Sequence, residues 1–297
     1  MELVCDYMHE DSLRQELNAL TRRTFGFDFE SWVQGGFCGE DYCPYSFREE
    51  GQIVANVSVN RMIFAQNGAE KHYFQLGTVM TEEKYRRRGL GRKLIEHVLE
   101  RYEQVGDGVY LFGNLDALNF YRSMGFQELL QYAYTLKPGA VLPEGRPFRL
   151  VRKGPSALWE RYEHAVQNGA AFSSLEQKNR YGLQMFYTAE GDNVWYSDEL
   201  DCFAVLEEEK LEKEKKEDTL TLASMIGERK VPLAAVLSRL NLHGRPVRLG
   251  FSPLAEDAAL FDAAPFDGGE DYRLFYRGAQ LESIPQERLF FPLLSHA

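Results

Sequence analysis

The sequence RRRGLGRK at residues 86–93 has the composition of a site for an anionic ligand. Apolar residues recur at helical spacing from residue 94 to residue 99, which predicts a helix that begins at this turn. The first turn of a helix carries unpaired N–H groups and the positive end of the helix dipole. Gly89 and Gly91 have no Cβ, so a phosphate group can come close to the backbone. The turn is therefore a candidate diphosphate site, and the alternative is an ordinary solvated helix start.

The spacing of this turn differs from two common phosphate-binding motifs. It reads Arg86-x-x-Gly89-x-Gly91 and follows a predicted strand that ends near Val79. It lacks the Lys-Ser/Thr pair that ends a P-loop, and it lacks the three glycines of the dinucleotide-binding fingerprint. As a sequence motif, this pattern is therefore more specific than a glycine-rich turn alone.

A second motif lies downstream at residues 114–126, which read NLDALNFYRSMGF. Asn114 is a candidate helix cap, and Gly125 closes the predicted helix in the manner of a C-cap. Phe120 and Tyr121 fall near the end of this helix. The segment therefore places one phenol close to a helix terminus, after a short apolar strand over residues 109–112.

Together the two motifs resemble those of the GNAT N-acetyltransferases. That family has a Gln/Arg-x-x-Gly-x-Gly/Ala loop for the acyl-CoA pyrophosphate and an Asn…Ala-x-x-Phe-Tyr-x-x-x-Gly-Phe segment after its fifth strand. The resemblance covers about residues 1–136. It implies an α/β GNAT fold, in which helices flank a mixed central sheet, and it implies acetyl-CoA as the cosubstrate with no metal.

The segments before the loop follow the order that this fold needs. A strand is predicted within residues 2–8, helices over 13–24 and 27–33, and strands over 45–48 and 53–64. Asn67-Gly68 is a strong hairpin-turn signal that leads into the strand before the loop. By resemblance, the early helical pair forms one wall of the acceptor site.

The resemblance assigns cofactor-binding roles to the loop, to the strand before it and to the second motif. These residues are Val79, Thr81, Arg86, Arg87, Arg88, Gly89, Leu90, Gly91, Arg92 and Asn114. It also implies that the parallel strands splay around Val79 to Thr81. Backbone N–H groups exposed there would meet pantetheine and stabilise the acetyl oxygen as it becomes an oxyanion.

Acyl transfer to an amine also needs an acid and a base. By resemblance, Tyr121 is the general acid that protonates the leaving thiolate; the alternative is a packed aromatic side chain. Some GNAT enzymes use a glutamate before the loop as base, but the aligned position here is Gln75, which cannot serve. Glu82 and Glu83 fall on an exposed turn, so a water chain or a carboxylate from elsewhere is needed.

The second half of the chain repeats the layout of the first. We expect an acetyl-CoA-binding domain over residues 1–136, a Pro- and Gly-rich linker over 137–147 and a second GNAT-like domain over 148–297. The segment before the helix at Pro232 reads GERKVP and lacks the glycine spacing of the first loop. The second domain is therefore predicted to have lost its CoA site. A further helix is predicted from Pro155, and the charged run over 207–218 is predicted to be a solvated hairpin tip.

The chain ends in an apolar segment, RLFFPLLSHA, whose simplest explanation is docking between domains. Another explanation comes from a resemblance to acetyltransferases of the enhanced-intracellular-survival type. Those proteins have a degenerate second GNAT domain and use their C-terminal carboxylate as the base in the first domain. They also carry a third domain, which this chain is too short to hold. The resemblance makes the Ala297 carboxylate, or His296, a candidate base.

The overall composition and net charge indicate which partners and which cellular environment to expect. The chain has 297 residues and a net charge of −11, which argues against nucleic acid as a general partner. The four cysteines, at positions 5, 38, 43 and 202, form no disulfide framework or zinc pattern. Cys38 and Cys43 are close enough in the chain to pair, but we expect a reduced, cytoplasmic protein without a membrane span.

The leading hypothesis is an acetyl-CoA-dependent N-acetyltransferase that acts on a primary amine by direct attack in a ternary complex. The acceptor is a small molecule or a peptide, and the oligomeric state is open. The alternatives are a CoA-binding sensor without turnover and a peptide or protein N-acetyltransferase.

Overall fold

Two mixed β-sheets form the centre of the fold, and helices pack against them. The structure, a computed structural model, describes residues 1–154, 156–208, 219–240 and 244–297. The predicted helix start at Pro155 and most of the predicted hairpin tip, residues 209–218, lie outside these residues. The helix predicted from Pro155 is present and begins at Ala157.

The first 136 residues contribute seven strands and four helices. The strands are β1 (Glu2–Cys5), β2 (Tyr42–Glu49), β3 (Gln52–Gln66), β4 (Ala69–Thr81), β5 (Gly108–Gly113), β6 (Gln127–Leu129) and β7 (Gln131–Leu136). The helices are α1 (Asp11–Phe25), α2 (Glu30–Gln34), α3 (Leu90–Tyr102) and α4 (Leu118–Arg122). The predicted elements are present, with shifts of a few residues at their ends.

The described part of the second half contributes further strands and helices. The strands are β8 (Arg149–Leu150), β9 (Leu175–Gln177), β10 (Val194–Ser197), β11 (Cys202–Glu208), β12 (Leu220–Ile226), β13 (Val247–Leu249), β14 (Phe261–Phe266) and β15 (Arg273–Arg277). The helices are α5 (Ala157–Asn168), α6 (Tyr181–Thr188), α7 (Leu233–Arg239) and α8 (Ser283–Gln286).

The hairpin between β3 and β4 has the turn that its sequence predicts. Asn67 and Gly68 both have positive φ angles, 46° and 86°, as a two-residue type I′ turn requires. The turn sets the register of the two longest strands, beginning with the Gln66–Ala69 pair. It thereby fixes where β4 arrives at the basic loop.

The two sheets have the same plan and exchange one strand each. The first has the order β1-β2-β3-β4-β5-β15-β6, and the second has the order β14-β7-β13-β12-β11-β10-β8. Each contains one parallel pair, β4 with β5 and β12 with β13, and the exchanged strand lies antiparallel beside that pair. The second half therefore repeats the plan of the first, in a tandem arrangement.

The exchange crosses the domain division that the sequence suggests. β7 lies within residues 1–136 but pairs in the second sheet, and β15 lies within residues 148–297 but pairs in the first. β9 also pairs with β3 across the division. Residues 137–147 contain no helix or strand. The division into 1–136, 137–147 and 148–297 stays a prediction, and hydrogen bonds between strands do not follow it.

The core of the first sheet is built from both halves of the chain. On one face, α3 packs its apolar side against the sheet, and Phe275 of β15 is fully buried in that cluster. On the other face, Leu289 and Phe291 of the C-terminal segment cover the sheet. Among the described residues, no helix is both long enough and apolar enough to cross a bilayer.

Replacing Phe275 tests whether the second half stabilises the first. Phe275→Ala removes a side chain that is 0% exposed, and we expect the free energy of unfolding to fall by about 3–5 kcal/mol. Phe25→Ala, at a ring that is 49% exposed, is the control and should change it by about 0.5 kcal/mol or less. Urea unfolding measures both, and equal effects would contradict the exchanged-strand core.

Candidate active site

The basic loop of the sequence forms an open turn at the start of α3. Gly89 is the residue before the helix and has a φ of 75°, which favours glycine. A Cβ added there would meet nothing within 4 Å, so the space before the helix is free. Leu90 is buried and anchors the first turn, together with Leu94 on the same face. The free N–H groups of this turn therefore point into accessible space.

The charged residues of the loop surround this opening. The side chains of Arg86, Arg87 and Arg88 are exposed. The Arg86 Nε donates to the Thr81 carbonyl oxygen at 3.2 Å, and Arg88 lies over the Tyr85 ring. Arg87 makes no hydrogen bond or ion pair with any residue that the structure describes. Contacts within the loop therefore hold Arg86 and Arg88, whereas Arg87 is unpaired among the described residues.

Arg92 and Gly91 connect the loop to the second motif and to β4. Arg92 donates to the Ser123 Oγ at 2.5 Å, just after α4. A Cβ on Gly91 would lie 3.7 Å from the Phe120 ring and 3.7 Å from the Thr81 Oγ1. The end of β4, the start of α3 and the helix α4 therefore meet at one point.

The strands β4 and β5 separate next to this point. Their parallel pairing runs from Tyr73–Gly108 to Leu76–Leu111 and then stops, although β4 continues to Thr81. The pairing of β4 with β3 is irregular here as well, and Thr78 has a φ of 47°. The predicted splay at Val79–Thr81 is present but begins earlier, at Gly77.

Asn114 has the capping role that the sequence predicts. Its side-chain oxygen accepts a hydrogen bond from the Ala117 N–H at 3.1 Å, at the start of the turn that leads into α4. The cap fixes the connection between β5 and α4. It therefore helps to position Tyr121; direct contact of Asn114 with a cofactor stays a prediction.

Tyr121 lies against the end of β5. A Cβ on Gly113 would come within 2.9 Å of the Tyr121 ring, so only glycine permits this approach. The ring also packs on Phe275, at a centroid distance of 5.1 Å. Burial raises the pKa of Tyr121 to about 12, and its hydroxyl bonds to none of the described residues. The phenol is therefore protonated at neutral pH and free to donate.

The C-terminal residue reaches the same splay from the opposite face of the sheet. A Cβ on Gly77 would lie 2.6 Å from the Ala297 oxygen, so the absence of a side chain at Gly77 admits the chain end. His296 stacks on Phe112 at 3.7 Å between ring centroids. Gly77 and Phe112 directly follow the last paired residues of β4 and β5. The structure thus brings Ala297 and Tyr121 to one opening.

Below this opening lies a row of buried polar side chains that sequence reasoning did not combine. Asn60, Gln75 and Tyr110 lie side by side on β3, β4 and β5. Each has a buried polar atom without a partner among the described residues, as do both ring nitrogens of His296. Buried polar groups normally have partners, so this row is suited to hold water or a polar ligand group. Gln75, set aside as a base, lies at its centre.

A pocket of about 320 Å³ opens beside this row, between the two halves of the chain. Its walls include Trp32 and Tyr42 from the first half and Tyr181 and Gly182 from the second. The Trp32 Nε1 donates to the Gly182 carbonyl oxygen at 2.7 Å. Sequence reasoning missed the second-half wall, because no local signal marks residues that meet only through folding.

The pocket reaches the splay through Tyr42. The Tyr42 hydroxyl lies 2.6 Å from the Ser58 Oγ and 3.3 Å from the Thr78 Oγ1, beside Gly77. A molecule in the pocket would therefore approach the end of β4 from the side on which Ala297 lies. All four cysteines are free.

Comparison with known proteins agrees with this geometry. Residues 6–126 match the model of the acetyltransferase (GNAT) family. This range contains the loop, the splayed strand and Tyr121. Over these residues the chain is therefore similar to GNAT acetyltransferases.

Solved structures of GNAT proteins share the fold of nearly the whole chain. A probable N-acyltransferase from Enterococcus faecalis is 13% identical with a TM-score of 0.58, over 94% of this chain and 73% of that one. A GCN5-related N-acetyltransferase from Kribbella flavida is 16% identical with a TM-score of 0.56, over 95% and 72%. Eis1 from Mycobacterium abscessus is 12% identical with a TM-score of 0.55, over 95% and 75%. No curated protein sequence matches the chain significantly.

The buried position of His296 predicts a pH dependence of stability. Burial lowers its pKa from 6.5 to about 3, so between these values the unfolded chain binds a proton that the folded chain does not. Stability therefore falls as the pH falls through this window. Between pH 6.5 and pH 5 we expect the parent protein to lose about 1.5 kcal/mol more than His296→Gln, as measured by urea unfolding.

The control for this prediction is His9→Gln, at a side chain that is 76% exposed. It should lose as much stability as the parent protein over the same pH range. A His296→Gln protein with the parent's pH profile would show that His296 is solvated and that the C-terminal segment is not docked.

Proposed function

We propose that this protein is an acetyl-CoA-dependent N-acetyltransferase that transfers an acetyl group to a primary amine in a ternary complex. The observation that carries the proposal is the open glycine turn at the start of α3, next to the splayed end of β4. The family match over residues 6–126 supports acetyl transfer, and the GNAT fold supports CoA as the carrier.

The loop residues give the cosubstrate a binding path. The diphosphate occupies the free N–H groups of residues 89–92, with Arg86, Arg87, Arg88 and Arg92 supplying charge. Pantetheine follows β4 where β5 has left it, and the thioester lies near Val79 and Thr81. Backbone N–H groups there bind the carbonyl oxygen more strongly as it becomes an oxyanion.

The reaction needs one proton removed and one proton added. The amine nitrogen attacks the acetyl carbon, the C–S bond breaks, and CoA leaves as a thiolate. Tyr121 protonates that thiolate, and the carboxyl group of Ala297 takes the proton that the amine loses. Tyr121 and Ala297 approach the splay from opposite faces of the sheet, as donor and acceptor on the two sides of the thioester must.

The acceptor amine enters through the pocket between the two halves. Its walls carry aromatic and amide side chains together with Asp41, Arg61 and Lys178, and Tyr42 leads from it to the splay. Its volume, about 320 Å³, suits a small amine or the end of a peptide chain. A cytoplasmic location and the absence of nucleic-acid partners stay predictions from the sequence.

Substitution of Gly89 tests the cosubstrate site. Gly89→Ala places a side chain in the space before the helix and strains a φ of 75°, so we expect acetyl-CoA affinity to fall about tenfold. Gly139→Ala is the matched control, because Gly139 has a φ of 76° and open surroundings but lies in the linker. Calorimetric titration with acetyl-CoA measures both. Equal affinities in the two variants would place the diphosphate elsewhere.

Thiol release from acetyl-CoA in the presence of a panel of amines tests the reaction. The panel contains polyamines, aminoglycosides, amino acids and short peptides. We expect release that depends on one amine class, and Tyr121→Phe should lower kcat about 100-fold without a change in acetyl-CoA affinity. Tyr102→Phe, at a ring with the same 5% exposure, should retain kcat.

Removal of residues 295–297 should abolish turnover and spare acetyl-CoA binding.

Each outcome of this assay tests a different part of the proposed mechanism. Normal turnover in Tyr121→Phe would exclude Tyr121 as the acid, and normal turnover after the deletion would exclude Ala297 and His296 as the base. Acetyl-CoA binding with no release for any amine would favour a CoA-binding module over an enzyme.

A further inference from the structure

The C-terminal segment, residues 289–297, runs from the second sheet to the first. The Leu289 carbonyl oxygen accepts a hydrogen bond from Tyr132 of β7, and the Phe290 N–H donates to the Ser252 Oγ at 2.6 Å. Phe291 is fully buried on the first sheet, where it stacks on Tyr110 at 4.5 Å. The segment therefore contacts both sheets before it ends at Gly77.

Part of this segment fills the second sheet's own cleft. The parallel pairing of β12 with β13 ends at Leu222–Leu249, the counterpart of the Leu76–Leu111 pair. Directly after it, the Gly250 carbonyl oxygen accepts the Leu293 N–H at 2.7 Å. Leu294 is buried beside Ala223, at the position on β12 that corresponds to Gly77.

The space left in the second cleft is small. The cavity beside Leu294 and Ser295 has a volume of about 30 Å³, which holds a water molecule or two but no pantetheine arm. At the start of α7, by contrast, a pocket of about 370 Å³ is open beside Pro232, Leu233 and Asp257, but the segment before this helix lacks the glycine spacing of the first loop. The C-terminal segment thus fills the place in the second sheet that corresponds to the splay of the first.

The last peptide group before Ala297 is held by the second half as well. The Tyr187 hydroxyl, on α6, donates to the His296 carbonyl oxygen at 2.7 Å. On the other side, the His296 ring stacks on Phe112 of β5. One contact comes from each half, so the final residue is held between them.

We propose that the second half acts as the anchor of the catalytic tail, with residues 293–295 docked in its cleft and Tyr187 as the residue that positions Ala297. The inference rests on the proposed role of the Ala297 carboxyl group as base. A chain end is normally mobile, and a mobile carboxyl group would spend little time in the geometry for proton transfer. A cleft that has lost its CoA loop supplies the fixed attachment.

Tyr187→Phe tests the positioning role by removing a single hydroxyl. We expect kcat for acetyl transfer to fall about 2- to 10-fold, with unchanged KM for acetyl-CoA, because the diphosphate loop is untouched. The matched control is Tyr162→Phe, which removes a hydroxyl bonded to Thr188, the residue next to Tyr187 on α6. The control should retain kcat. An equal loss in both variants would assign the effect to a loosened α6 and overturn the proposal.

Hydrogen exchange of residues 289–297, followed by mass spectrometry, tests the anchor without any activity. In the parent protein we expect slow exchange at Leu293, whose N–H is bonded to Gly250, and faster exchange in Tyr187→Phe and in Leu294→Ala. Tyr162→Phe should exchange as the parent does. Fast exchange in the parent, or exchange unchanged in both tail variants, would overturn the anchor even if the enzyme were active.

The two measurements separate this inference from the proposed function. A protected tail without acetyl transfer would contradict the proposed reaction and leave the docking of residues 293–295 supported. Acetyl transfer with an unprotected tail would support the reaction and overturn the anchor.

Discussion

The separation of β4 from β5 after the Leu76–Leu111 pair is the constraint on which the rest of the structure depends. Two strands that part within a sheet leave backbone groups that must find other partners. Here the opening lies beside the free helix start at Gly89. Gly113 admits the Tyr121 ring on one face, and Gly77 admits the Ala297 end on the other. The site is therefore shaped by the absence of side chains as much as by their presence.

The exchange of β7 and β15 gives this opening its stability. β15 covers the free edge of β5 and brings Phe275 into the first core and under Tyr121. β7 does the same beside β13 in the second sheet. Since each half completes the other's sheet, their relative position is fixed by strand hydrogen bonds. A pocket formed by both halves, and a tail that crosses from one cleft to the other, can then keep a constant geometry.

Local features of the fold and site could be predicted from the sequence, and pairings distant in the chain could not. The turn at Asn67–Gly68, the open glycine at Gly89 and the cap at Asn114 each follow from a few neighbouring residues. The sequence of β15 is typical of a strand, but no local pattern indicates that β5 and β6 are its partners. The same holds for the polar row through Gln75, whose members meet only through sheet register. The apolar composition of the C-terminal segment predicted that it is buried, but it did not indicate which cleft the segment occupies.

The most direct test of the account is a calorimetric titration of the full chain with acetyl-CoA. The first half has an open helix start with two glycines and an open splay, whereas in the second half Leu294 fills the splay and the segment before α7 lacks the glycine spacing. The account therefore predicts one molecule of acetyl-CoA bound per chain. Two molecules per chain would contradict the filled second cleft, and none would contradict the assignment of the basic loop.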